Sequence, residues 1–537
     1  MIRFPWIAAP LLILGSCGGF SRIQAEFQTE LAGSVLYAPN KRTAAGLLEF
    51  SGGKAVEFFP EPPLSIPSLV SLELEYGPAA DRPAGEFVLS YADSGAAAGE
   101  TGLFVLPEFR DPVRYAVPLE GYTLGTLKIG ALGGAEAVLE LKSLALIPRW
   151  YGVERDGRGL RMSPFVSVEE PGAVGVDVPE NFAFPGGADL EIRAGGKVRW
   201  TIGNLRFEKP SGGDIVIPGG VFPGPAYRVL VEGEDIRGVR LVPAQYRPFP
   251  EPISLDPAVI LNYPPASWRR RDYEVFRWDV FPSLLIFDTA DYAVQDRLFK
   301  RLAFFVEKAG YRGRLAEDRE IAGQHGWNAH DYRAQDLARF FQAARLAEFP
   351  LLAEERELEA LLFDSGIIRE EEDRIVAGEG GIISISRESA PYLRSLFMAH
   401  EGFHGVFFID EEFREFSRRR WEGLSPAARR FILSYFDYQH YDTSDEYLVV
   451  NEFMAHVLQQ PVSRAARYFG ETLAARIDTS PWRRAVLPEK DEASGTWPVL
   501  AETFRLEAAA FDAYVAGRWG LEAGRVHRIG VRVLDEP

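Results

Sequence analysis

Two histidines stand four residues apart in FMAHEGFHGVFF, Phe397 to Phe408, with a glutamate directly after the first, and the whole chain has only seven histidines. Ser389 and Ala390 ahead of Pro391 read as a helix start, and PYLRSLFMAHEGFHGVFF is helical in composition. On a helix, His400 and His404 fall one turn apart on one face, about 6 Å along the axis. At that separation two imidazole nitrogens can converge on one zinc ion at about 2.1 Å each, and Glu401 can take the proton of a water at the ion's open position. With 7 His and 77 acidic residues in 537, chance supplies such a pattern in on the order of 1% of chains. Two satisfied core histidines, or a relic without metal, are the alternatives.

A catalytic zinc needs a third protein ligand. The stretch YDTSDEYLVVNEFMAHVLQQP, Tyr441 to Pro461, offers Glu446, Glu452 and His456. Thr443 and Glu446 fit a capping box, which gives Glu446 a structural task. Glu452 lies two turns in, where it can face a neighbouring helix. His456, one turn further on the same face, can orient that carboxylate, donate to a transition-state oxyanion, or replace Glu452 on the metal.

The HExxH pattern is that of zinc hydrolases. Asn451-Glu452 followed by Phe453-Met454-Ala455-His456 resembles the second helix of the gluzincin peptidases. The resemblance covers about Gly380 to Gln460 and implies a zincin-like metallopeptidase domain. It implies one Zn2+ per chain on His400, His404 and Glu452, with Glu401 as general base. It also implies a Tyr or His that donates to the tetrahedral oxyanion; Tyr438, His440 and Tyr441 precede the second helix, Tyr441 is the favoured donor among them, and aromatic packing under a loop is the weightier alternative. The insert from Gly405 to Asp442 is longer than in compact thermolysin-like gluzincins. It holds one helix from Asp410 to Trp421 and another opened by Ser425 and Pro426.

Substrate contacts are expected upstream. The strand Ile382 to Ser386 leads into the histidine helix, and zincin-type peptidases bind extended chains along such an edge strand, which makes Ile383 a candidate for main-chain pairing. An ordinary core strand is the alternative. The cluster GQHGWNAHDYRAQDLARFF offers His330 and Asp331 as cleft residues, beside His325, Trp327 and Asn328. Asp331 also suits the N-cap of the helix that follows.

These residues need a scaffold, and the chain is too long for one core. The expected fold class is multidomain: two N-terminal all-β, sandwich-like domains at 26–148 and 149–250, then a mainly α (α+β) zincin-like domain at 251–537. The β reading rests on short runs such as LVSLELEY and AVLELKSLALI, and on KVRWTI after a turn at Gly195-Gly196. Six prolines between Tyr246 and Ser267 mark the boundary. Beyond it, Leu298, Leu302, Phe305 and Val306 recur at helical spacing up to Gly310.

Residues 1–25 read as a signal peptide and tether: Arg3, an apolar run from Trp6 to Leu14 too short to span a bilayer, and Leu14-Gly15-Ser16-Cys17. The last four resemble the bacterial lipobox, which implies lipidation of Cys17, the only cysteine. Cleavage after Ala25 is the alternative, and both place the protein outside the cytoplasm, in the cell envelope. A net charge of −18 lacks the cationic excess that binds nucleic acid or anionic lipid. The partners expected are a protein or peptide substrate, cell-wall peptide included, and the membrane through the N-terminal lipid. A non-catalytic surface-binding lipoprotein and a peptidoglycan amide hydrolase are the competing functions.

Overall fold

The computed structural model describes residues 251–534 except 309, 325 and 480–483, most of 137–244, and separate segments between 21 and 131. Cys17 and His325 lie outside the described residues. The chain forms two compact units, 1–246 with 531–537, and 247–530. The first contains β-sheets and the second is mostly helical, a multidomain α+β architecture.

The first unit holds three sheets. Period-two burial runs through Val198–Ile202, where Val198, Trp200 and Ile202 are buried and the residues between them half-buried. Trp200 stacks on Phe207 at 5.4 Å and is core, as is Trp150. The expected division at 148/149 falls inside one ten-stranded sheet, because Val113–Leu119 pairs in parallel with Gly159–Met162. The junction residues are buried as well: Arg149 donates to the Leu119 carbonyl and the Trp150 amide to Ser71 Oγ. No linker separates the two β segments there. Gly195 and Gly196 do form a turn, but the strands on either side, Ala188–Ala194 and Val198–Ile202, join different sheets. The proline-rich segment does begin at the junction of the two units.

The second unit is built on five strands, β1 (Ile253–Leu255), β2 (Tyr273–Trp278), β3 (Leu284–Thr289), β4 (His330–Arg333) and β5 (Gly381–Ser386), in the order β1-β2-β3-β5-β4. β5 runs parallel to β3 and antiparallel to β4, so it lies inside the sheet, and β4 occupies the edge. All six residues of β5 are buried, Ser384 and Ser386 included, as its place inside the sheet requires.

Helix α1 (Tyr292–Val306) is capped by Asp291, whose carboxylate accepts from the Val294 amide. It packs Leu298, Leu302 and Phe305 into a core shared with α2 (Ala334–Leu346). Helix α3 (Pro391–Ile409) starts at Pro391 as expected. Gly405 lets it approach the sheet, since a Cβ there would meet Leu284 Cδ1 at 2.9 Å and Ile383 Cγ2 at 3.6 Å. The insert forms α4 (Glu411–Gly423) and α5 (Pro426–Tyr438), capped by Asp410 and Ser425. Helix α6 (Glu446–Leu458) begins at Glu446, with Asp445 as its N-cap. The expected Thr443–Glu446 capping box does not form, because Asp442 binds Ser444 and draws Thr443 into the preceding turn. Helix α7 (Pro498–Trp519) completes the described long helices.

Candidate metal centre

Helix α3 presents His400, Glu401 and His404, and α6 packs against it with Glu452. The two Nε2 atoms of His400 and His404 lie 3.1 Å apart. Glu452 Oε2 is 3.7 Å from His400 Nε2, and its Oε1 is 3.7 Å from His404 Nε2. Three ligands on a tetrahedral ion with bonds near 2.1 Å stand roughly 3.4 Å from one another. Side chains separated in sequence therefore meet in a tripod of the size a small divalent cation requires. His404 and Glu452 are buried and His400 half-buried, and Glu452 Oε2, His400 Nδ1 and His404 Nδ1 have no partner in strict hydrogen-bond geometry. A buried carboxylate oxygen so placed is what a cation would satisfy.

The protonation states suit ligands. Burial pushes the Glu452 carboxyl up, yet the charge of His404 and the hydrogen bond and charge of His400 outweigh it and hold the carboxyl at about 2. Burial pulls His404 down to about 4 and His456 to about 3, so both rings are neutral at pH 7. For His400 burial acts downward, and the hydrogen bond with Glu452 and the charges of Glu401 and Glu452 overcome it and raise the ring. Glu401 moves the other way from Glu452. Its own burial, aided by the charge of Glu452 and opposed by His400 and by a hydrogen bond with Asp331, lifts it to about 7. Two carboxylates on facing helices are thus driven apart, one a permanent anion and one poised to exchange a proton near neutrality.

Around them lies a cavity of about 300 Å³ lined by His400, Glu401, His404, Tyr441, Glu452 and His456 together with Trp327, Asn328, His330 and Asp331. A second cavity of about 280 Å³ shares Glu307, Asp331 and Glu452 with it and continues to Arg333. Together they follow β4, the edge strand, from Asn328 to Arg333.

Several expectations are relocated. Ile383 lies in the interior of the sheet, fully buried, and lines neither cavity, and the edge strand is β4 rather than β5. Ser384 and Ser386 are buried too, and Ser384 Oγ accepts from Gln295. His330 reaches the cavity wall while its ring, 2% exposed, turns inward to Gln295 and Ser384. Asp331 sits on β4 and caps no helix, since α2 begins three residues later with Arg333 as its N-cap. Instead it joins Glu401 and His404 in a second group of ligand-type atoms within 4.8 Å of one another. Tyr441 faces the cavity with its ring packed edge-on against Phe436, and burial pushes its hydroxyl well above the usual range. Glu446 lines neither cavity.

Sequence reasoning missed Glu307, the residue that ends α1. Burial and the charges of Glu452 and Glu401 lift it to about 8. A lone acid after an amphipathic helix, beside Lys308 and three residues before Gly310, gave no signal of a cleft. It also missed Gln459 beside His456, although it lies within one turn of that residue, and it named Asn451 as part of the motif without placing it beside His404.

No family model matches the chain, and no curated protein matches it. Among solved structures, the M60 catalytic domain with the CBM51-1 and CBM51-2 domains from Clostridium perfringens ZmpB is 8% identical over 41% of this chain and 36% of that one, with a TM-score of 0.13. Tripeptidyl Peptidase 2 (TPP II) is 8% identical over 92% of this chain and 48% of that one, with a TM-score of 0.18. The chain spans less than half the length of either. At these scores neither likeness bears on fold or chemistry, which rest on the geometry above.

Proposed function

We propose that the chain is a zinc-dependent hydrolase of peptide bonds. What supports this is the tripod of His400, His404 and Glu452 with Glu401 directly beside it. A set of two imidazoles and one carboxylate is the donor combination of catalytic zinc, with a position left for water. When bound, the ion supplies Lewis-acid polarisation of a carbonyl and a more acidic water. Glu401 takes the proton of the attacking water and returns it to the leaving amine, a task that suits a carboxyl near pH 7. Asp331 hydrogen-bonds to Glu401 and fixes where it points. The hydroxyl of Tyr441 donates to the tetrahedral oxygen. Strand β4 pairs with an extended substrate chain along the two cavities.

Export through residues 1–25, with a lipid on Cys17, belongs to the same proposal and puts the enzyme in the cell envelope, acting on protein or on cell-wall peptide. The test is metal analysis paired with one variant. The purified protein should carry about one zinc per chain, lost to a chelator, and Glu401→Gln should keep the zinc while losing hydrolysis of an unfolded protein such as casein. A folded protein without affinity for zinc, or full activity in Glu401→Gln, refutes it.

A further inference from the structure

We propose that Arg312 is a positioning residue: it clasps the turn 441–445 to the end of α1 and so holds Tyr441 in the wall of the metal cavity. This rests on reading Tyr441 as the donor to the tetrahedral oxygen. Tyr441 follows the C-terminus of α5, which closes in a fully paired cap. The His440 amide donates to the Asp437 carbonyl and the Tyr441 amide to the Phe436 carbonyl, each at 3.0 Å, while His440 takes φ +67°, the left-handed position that such a cap requires. The Tyr441 ring packs edge-on against Phe436, 5.7 Å between centroids. A residue other than glycine in the left-handed region carries strain, and it persists where its surroundings over-determine the conformation. The cap holds the turn from the α5 side only.

Arg312 holds it from the other side. Its Nη1 donates to Asp442 Oδ2 at 3.0 Å and its Nη2 to Asp445 Oδ2 at 3.3 Å. The second oxygen of each acid is also engaged: Asp442 Oδ1 accepts from the Ser444 amide and hydroxyl, and Asp445 Oδ1 from the Leu448 amide in the first turn of α6. Each carboxylate thus bridges the guanidinium to the backbone of the turn or of the helix that carries Glu452. The arginine has a fixed base of its own. The Gly313 amide donates to the Phe305 carbonyl in the last turn of α1 at 2.8 Å, and Gly310 and Gly313 supply left-handed bends at φ +82° and +73°. Arg312, Asp442 and Asp445 line the second cavity and not the one around the tripod, whereas Tyr441 lines the latter. The guanidinium therefore acts on the reacting atoms through its hold on the turn.

Both ion pairs are partly exposed, so Arg312→Gln should leave zinc content and melting temperature unchanged. It should lower kcat on casein about 2- to 5-fold with KM unchanged, the size of effect such pairs supply. In a Tyr441→Phe background the same substitution should leave kcat where it was, because the side chain it positions has lost its hydroxyl. Hydrogen exchange gives a readout without activity: the amides of 441–448 should exchange about 2- to 5-fold faster in Arg312→Gln than in the wild-type protein. An equal loss of kcat in both backgrounds, a change confined to KM, or unchanged exchange over 441–448 overturns the proposal. If the wild-type protein hydrolyses no casein while exchange still responds to Arg312→Gln, the clasp stands and the hydrolase reading falls.

Discussion

Arg394, in the first turn of α3, donates to both carboxylate oxygens of Asp288 on β3, at 2.8 and 3.2 Å. Asp288 is fully buried, and Arg387 holds the same carboxylate. The helix that carries both histidines is pinned at its start to the sheet. Removing Arg394 leaves the buried carboxylate to Arg387 alone, at a cost of about 1.5 to 3 kcal/mol. Arg394→Met should therefore lower the denaturant midpoint markedly, and an unchanged midpoint would count against the anchor.

Glu452 is the one carboxylate the tripod needs. Glu452→Gln replaces an anion with a neutral amide, so zinc should be retained at less than a tenth of its wild-type affinity while circular dichroism stays the same. Undiminished affinity in a chelator titration would move the third ligand elsewhere, with Asp331 as the nearest acid to test.

The metal-free protein should lose stability between pH 6.5 and about 8. Glu401 and Glu307 have folded values raised to about 7 and about 8, so the folded state holds protons that the unfolded state releases, and stability falls as pH rises through those values. Below pH 6.5 the depressed rings of His404 and His456 act in the opposite sense, because the unfolded state takes up the protons there. Melting curves of chelator-treated protein at pH 6.5 and 8 read the sign directly, and bound zinc should flatten the decline. A rise over that window would contradict the burial of these acids.

Tyr441→Phe should lower kcat by about 10²- to 10³-fold with KM and zinc content unchanged, the signature of a donor used only in the transition state. A change confined to KM would make Tyr441 a packing residue of the cavity wall.

Gly405→Val should destabilise the second unit by about 1 to 3 kcal/mol, because Leu284 and Ile383, both fully buried, have no room to yield. Equilibrium urea unfolding measures it. A neutral effect would mean that α3 does not sit on the sheet through this residue.

What the sequence disclosed divides along the range of the forces involved. His400, Glu401 and His404 were legible because helical spacing is local, and so were Pro391, Asp410 and Ser425 as helix starts. Glu452 was legible only through its neighbours Asn451 and His456. The exchange of β5 for β4 at the sheet edge was not, since strand order depends on which segments pair across long separations, and four residues, HDYR, carry almost no periodic pattern. Glu307 escaped for a similar reason: its meaning comes from Glu401 and Glu452, far along the chain. The sheet that crosses 148/149 was hidden because Gly- and Pro-rich turns separate strands equally well inside a domain and between domains.

The last strand, Gly530–Val533, joins the sheet that contains Leu205–Lys209, and the Leu534 amide donates to the Asn204 carbonyl at 2.8 Å. Synthesis therefore delivers the entire helical unit before the first unit can close its final edge. While the helical unit is being made, that edge stays open to strand-pairing errors and to chaperones. Deleting residues 530–537 should leave the geometry of His400, His404 and Glu452 intact and lower the solubility of the protein instead.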